Sequence, residues 1–275
     1  MFTVADIESA SERVYATMGG PTPAYAWPLL ARRTGCEVWV KHENHTPIGA
    51  FKVRGGLVYM DHLANSGEAV AGVVSATRGN HGQSIALAAG KAGLRSVIYV
   101  PEGNSVEKNA AMEAFGAELV VHGRDFDAAA AAARLAAVEQ GLHMVPSFDP
   151  LLVKGVATYS LEFFRQAPGL DVVYVPIGMG SGICGMIAAR DALGLTTDII
   201  GVVAEGAPAI ALSFEAGYPV PTNEARTFAD GMACREPHPE ALDIIRRGAA
   251  RIVCVSDASI ADAMRIYYQD THNLA

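Results

Sequence analysis

Residues 71–101 read AGVVSATRGNHGQSIALAAGKAGLRSVIYVP, and the class of fold is decided there. The apolar, β-branched run at 71–75 predicts a strand, and 83–92 predicts a helix stopped by Gly93. A second apolar run at 96–101 predicts another strand. Strands separated by a helix of that length do not form a hairpin. They join through a βαβ crossover and lie parallel.

Outward from this unit the alternation continues, with a helix at 106–115, a strand at 117–122, an alanine-rich helix at 125–140 and a short strand at 143–146. It resumes with a strand at 172–176, a glycine-rich turn and a helix from about Gly182. Strands at 199–203 and 251–256 follow, the last leading into a helix near Ala258. The expectation is a two-lobed α/β fold with open, twisted, mainly parallel sheets flanked by helices. The stretch 148–152, with Pro150, is the expected crossing between lobes. In such sheets ligands bind at the carboxyl ends of strands, so the loops after strands are where chemistry is sought.

The chain has 275 residues, of which 51% are hydrophobic and 18% charged, enough apolar material for a buried core. Disordered and fibrous classes are excluded on that ground. A net charge of −8 repels phosphate backbones and anionic lipids, so neither nucleic acid nor a membrane surface is expected as partner. Cys36, Cys184, Cys234 and Cys254 are widely spaced with no CxxC pair. They read as small core hydrophobes in a reducing compartment, which predicts a cytoplasmic protein. No apolar run precedes the first basic residue, Arg13, so no secretory signal is expected. Residues 172–189 carry no charge and match a membrane span in length. Pro176 and the glycines at 178, 180, 182 and 185 suit a strand, a turn and a helix start better.

Three loops carry candidate chemistry. The first, residues 41–55, reads KHENHTPIGAFKVRG and places Lys52 at a helix start. The positive end of a helix destabilises an ammonium, and burial adds a desolvation cost in the same direction. Both lower the pKa and leave a nucleophilic amine suited to Schiff-base chemistry. On this loop alone, a solvated surface lysine explains the pattern too. The second, residues 75–84, reads SATRGNHGQS between a strand and a helix, a ready site for a carboxylate or phosphate, though ordinary helix capping accounts for it as well. The third, residues 176–185, reads PIGMGSGICG, where glycines let backbone N–H groups converge on an anion and Ser181 adds a hydroxyl. It has neither the Gly-Lys-Ser/Thr of a P-loop nor the Rossmann spacing, so the phosphate of a small cofactor is the natural ligand. His42 and His45 could be read as a metal pair, but a third ligand is missing, and no metal is expected.

Together the loops resemble the fold type II pyridoxal-phosphate enzymes, whose architecture is that of the tryptophan synthase β chain. Within that class the chain is most similar to the threonine/serine dehydratases and serine racemases. The resemblance runs from about Thr22 to the end. It rests on Lys41-x-Glu43, Phe51-Lys52-x-Arg54-Gly55, Gly79-Asn80-His81, Gly178-x-Gly180-Ser181, Ala229-Asp230-Gly231 and Val253-x-Val255-Ser256-Asp257. It implies that Lys52 is the catalytic residue and holds the aldehyde of pyridoxal 5'-phosphate, with Phe51 beside the ring and Asn80 on the ring hydroxyl. Gly178, Met179, Gly180, Ser181 and Gly182 would cradle the phosphate. Thr77, Arg78, Gly79 and His81 would hold the carboxylate of a small amino-acid substrate. The resemblance also implies a homodimer, a large cofactor-binding domain of residues 1–66 and 149–275, and a small substrate domain of residues 67–148. The implied reaction is α,β-elimination from a β-hydroxy amino acid to a 2-oxo acid and ammonia. A racemase, a β-replacement synthase and a non-catalytic binding protein are the alternatives.

Three departures from the family pattern matter. Thr77-Arg78 stands where relatives carry Ser-Ser or Ser-Ala. In the racemases the second of those positions is the base opposite the lysine, and a guanidinium stays protonated and cannot serve. Elimination is expected over racemisation, and Arg78 is a candidate grip on a second carboxylate, as in 3-hydroxyaspartate. Val203-Ala204 replaces the Glu-Pro that many relatives use for a cation, with Glu205 two positions on. The family's Glu-x-x-Gly-Ala stretch and its Ser-Gly-Gly-Asn strand have no counterpart after Leu274-Ala275, so a C-terminal part of the large domain is expected to be missing.

Overall fold

The computed structural model describes residues 1–274. In chain order its elements begin with α1 (Val4–Met18), β1 (Ala24–Ala26), α2 (Pro28–Thr34), β2 (Trp39–Lys41) and α3 (Lys52–Asn65). Next come β3 (Val73–Ala76), α4 (Asn80–Lys91), β4 (Ser96–Val100), α5 (Val106–Ala114), β5 (Glu118–Val121), α6 (Phe126–Gln140) and β6 (His143–Met144). The remainder is α7 (Pro150–Gln166), β7 (Val172–Pro176), α8 (Ser181–Ala192), β8 (Asp198–Ala204), α9 (Ala209–Ala216), α10 (Pro239–Gly248), β9 (Arg251–Val255) and α11 (Asp257–Thr271).

The strands form two parallel sheets, ordered β5-β4-β3-β6 and β7-β8-β9, plus the antiparallel pair β1-β2. In the first sheet alternate residues point to opposite faces. Val73, Ile98 and Val100 pack with α3, α4 and α5. Val74, Ala76 and Val97 pack with the alanines of α6. Both faces are covered, as an all-parallel sheet requires. In the second sheet Val173 and Val175 enter the core beneath α7 and α8, while Val172 and Tyr174 on the other face are exposed.

The helix α7 packs against both α3 and α8 and so joins the two sheets. Its crossing with α3 depends on absent side chains. A Cβ on Gly155 would lie 2.3 Å from the Arg54 carbonyl oxygen, and one on Gly55 would lie 2.8 Å from that of Leu152. This approach carries Arg54, which has no exposure at all, onto α7. Its guanidinium donates to Glu162 Oε1 at 2.6 Å and Oε2 at 3.0 Å. It also donates to Glu43 Oε2 at 2.7 Å and to the Thr158 hydroxyl at 3.0 Å. Lys41 Nζ adds a 2.6 Å bond to Glu162, and Tyr15 donates its hydroxyl to the same carboxylate. Burial alone would raise the pKa of Glu162, but Arg54 and Lys41 more than offset it and hold the carboxyl below its ordinary value.

The predicted elements appear in order, with instructive differences at their ends. The helix expected from 83 starts three residues earlier at Asn80, because Gly79 is the N-cap. The strand expected at 143–146 keeps only His143–Met144. Residues 150–152 form the first turn of the 17-residue helix α7. Asp149 caps it by accepting from the Leu151 N–H at 2.7 Å, and Pro150 sits in the first turn, where its missing N–H costs nothing. Residues 172–189 form β7, a turn and most of α8, and no helix among the described residues is long and apolar enough to cross a membrane. Cys184 and Cys234 are buried as expected, but Cys36 and Cys254 are exposed.

Arg54→Met removes the cation and leaves Glu43 and Glu162 facing one another in the interior. The expected loss is about 3–5 kcal/mol, seen as a lower denaturant midpoint. An unchanged midpoint would show that the cluster does not anchor α3 to α7.

Candidate active site

Lys52 is the first residue of α3. The preceding loop is locked by the Thr46 hydroxyl, which donates to the Ala50 carbonyl and accepts from the Ala50 N–H, both at 2.8 Å. At the helix start, the Ser84 hydroxyl of α4 donates to the Lys52 carbonyl at 2.6 Å. The Lys52 amine donates to the Ser181 hydroxyl at 2.8 Å and lies 5.3 Å from the centre of the Phe51 ring. Lys52 is only part-covered by area, yet its amine is ringed closely enough that burial drives its pKa from 10.5 to about 8. It has no carboxylate partner among the described residues. The helix dipole acts in the same sense as the burial.

Two strand-end loops converge beside this amine, one from each parallel sheet. After β3 the chain runs through buried Thr77, whose hydroxyl accepts the Gly79 N–H at 3.1 Å, into α4. After β7 it runs through Gly178 to α8. Neither α4 nor α8 has a side-chain cap, a feature shared with α2, α3, α9 and α10; what sets α4 and α8 apart is that both start beside the Lys52 amine. The first-turn N–H groups of α4 and α8 are therefore free for an anion. The capping reading of residues 75–84 is overturned, because Gly79 holds the cap position and Asn80 lies inside the first turn. In the third loop Gly180 has φ +112, a left-handed conformation, and a Cβ on Gly178 would lie 2.2 Å from the Gly231 carbonyl oxygen.

His81 follows in the first turn of α4, and its Nε2 is buried with no hydrogen-bond partner. Burial, and then the nearby Lys52 charge, push its pKa down to about 3, so the ring is neutral. Phe51 packs against Tyr159, ring centres 5.8 Å apart, and Met179 is partly buried against the same core. Arg78 is the outlier among the predicted site residues, since it is exposed.

Both ring nitrogens of His42 have partners within the protein. Trp27 donates to its Nε2 at 3.1 Å, and its Nδ1 pairs with the Tyr267 hydroxyl at 3.1 Å. Among the described residues no group of three His, Cys, Asp or Glu side chains could hold a metal ion. Sequence reasoning missed Glu162 and Ser84. The signal for Glu162 was an acidic residue within the apolar run of α7, and for Ser84 there was none.

The chain matches the family model described as "Pyridoxal-phosphate dependent enzyme" over residues 15–275, and it belongs to that family. It is 32% identical over 255 residues to the biosynthetic L-threonine dehydratase of Salmonella typhimurium, covering 92% of this chain and 49% of the relative. The chain thus spans about half the length of the curated relatives it matches first. Among solved structures it is similar to the processed threonine deaminase isoform 2 of Solanum lycopersicum, with TM-score 0.92 and 29% identity over 98% of this chain and 78% of that one. It is also similar to maize serine racemase, with TM-score 0.93 and 25% identity over 98% and 82% of the two chains.

The site fits the family's cofactor. An aldehyde needs an amine that can lose its proton, and Lys52 provides one. A phosphate needs free N–H donors at a glycine turn, and the α8 start provides them. The orphaned Nε2 of His81 is a polar atom awaiting a partner. Gly178→Ala would force a methyl into the Gly231 carbonyl. Its expected effect is about a tenfold weaker capture of pyridoxal 5'-phosphate, read by absorbance titration. Unchanged affinity would show that the 178–182 turn does not hold the phosphate.

Proposed function

We propose that this member of the pyridoxal-phosphate dependent family catalyses α,β-elimination from a β-hydroxy amino acid such as threonine, serine or 3-hydroxyaspartate. The products are a 2-oxo acid and ammonia. One observation carries the reading: a lysine amine with a pKa of about 8, bonded to a hydroxyl instead of a carboxylate, faces two uncapped helix ends. The dehydratase and deaminase names of its relatives support it.

When bound, the cofactor supplies an electron sink that acidifies the α C–H of an amino acid. The protein supplies the rest. Lys52 would hold the cofactor's aldehyde carbon, and its amine would accept the α-proton of a bound amino acid. A base with a pKa near the working pH is suited to that transfer. Gly178, Met179, Gly180, Ser181 and Gly182 would hold the phosphate. Asn80 would hold the ring hydroxyl, with Phe51 to pack beside the ring. Thr77, Arg78, Gly79 and His81 around the α4 start would hold the substrate carboxylate, with Arg78 the exposed member of the set. Because a guanidinium does not take up a proton, no base stands at position 78, which favours elimination over the activity named for the maize structure. In this reading residues 67–148 are the small substrate domain, residues 1–66 and 149–275 the large one, and the protein is a cytoplasmic homodimer.

The test is release of 2-oxo acid from threonine, serine and 3-hydroxyaspartate with added cofactor. Turnover of at least one, falling about 10²–10⁴-fold in Lys52→Ala, is expected. Inversion of the α-carbon without 2-oxo acid would overturn elimination.

A further inference from the structure

Lys108 is an α5 residue that the reaction scheme does not use, and it lies between the two ligand-holding loops. Its N–H is capped by the Ser105 hydroxyl at 3.2 Å, which fixes where the side chain starts. Its stem runs over the carboxylate loop: a Cβ on Gly79 would be 2.7 Å from Lys108 Cδ and 3.2 Å from Nζ. The ammonium then pairs with the Asp230 carboxylate. Asp230 opens a 3₁₀ turn whose next residue, Gly231, sets its carbonyl against Gly178 of the phosphate turn. The path from Gly79 through Lys108, Asp230 and Gly231 to Gly178 therefore connects the loop after β3 with the loop after β7.

Supporting contacts flank Asp230 on both sides along the chain. Thr227 donates its hydroxyl to Asp257 at 2.6 Å, and the Phe228 N–H donates to the same carboxylate at 3.1 Å, fixing the approach to Asp230. Further along, Arg235 pairs with Asp127 at the start of α6. The segment 228–235 is thus tied at two points to helices of the four-stranded sheet. The side chains of Lys108 and Asp230 are 30% and 37% exposed, so the pair is partly screened and open to exchange.

We propose that Lys108 is a positioning residue: its ion pair with Asp230 holds the α4 carboxylate loop in register with the phosphate turn and thereby sets substrate affinity. Lys108 acts through Gly79 and Asp230, without touching the reacting atoms. Losing the pair lowers the fraction of molecules whose two loops are in register. Apparent affinity falls by that fraction, and the chemical step is left alone.

The proposal rests on the elimination reading for its kinetic arm only. In the cofactor-free protein, Lys108→Ala is expected to speed hydrogen–deuterium exchange at 77–82 and 228–233 and to leave other segments unchanged. With cofactor, KM for the best β-hydroxy amino acid is expected to rise about two- to fivefold at nearly constant kcat, the scale of a partly exposed ion pair. Lys108→Arg, and the reversed pair Lys108→Glu with Asp230→Lys, are expected to recover most of both effects. Unchanged exchange in the two segments would overturn the proposal, and so would a fall in kcat at constant KM. If the wild-type protein turned over no β-hydroxy amino acid, elimination would fail while the exchange data still decided the role of Lys108.

Discussion

A guanidinium sealed from water between two carboxylates is the constraint on which the rest of the structure depends. Arg54 is two residues from Lys52 on the same helix, and its partners come from the loop before that helix and from α7. Such a cluster is a costly way to gain stability, because desolvation offsets much of the attraction. What it does supply is a unique register. With Arg54 between Glu43 and Glu162, α3 cannot slide or rotate on α7 without stranding a charge. The Gly55–Gly155 contact enforces the same crossing by shape. Lys52, two residues from this anchor, is aimed at Ser181 because α3 has one allowed position.

The electrostatics of the two lysines in this region make the point by contrast. Lys41 meets Glu162 directly and forms part of the framework. Lys52, in the same neighbourhood, meets only a hydroxyl. Burial pulls both pKa values down, but a carboxylate helps Lys41 to remain charged, whereas Lys52 has no such support. One lysine is thereby structural and the other chemical. Cys184 nearby does not alter this, since burial raises its thiol pKa and keeps it neutral.

The parts legible in the sequence were those governed by local rules. Short continuous apolar runs alternating with helical stretches placed the parallel strands, and the glycine-bearing loops marked Lys52, Gly79–His81 and Gly178–Gly182. What escaped depended on tertiary partners. Nothing local separates Asn80 as a cap from Asn80 inside the first turn, and the backbone at Gly79 decides it. The stretch around Pro150 was read only as a crossing between lobes, so α7 and its buried Glu162 went unseen. Cys254 reads as a core residue, but on β9 its side chain is exposed, which nothing local in the sequence marks. Arg78 was visible as a departure, but its exposure follows from how the loop leaves β3.

The central claim is that the fold delivers an amine at residue 52 that gives up its proton close to neutral pH. The direct measurement is a nuclear magnetic resonance titration of the Lys52 ε-methylene or amine signal in the cofactor-free protein, assigned with Lys52→Ala. A midpoint of about 8 is predicted. A midpoint at the ordinary lysine value of 10.5 would contradict the account, since the amine would then be a solvated charge and not a buried nucleophile.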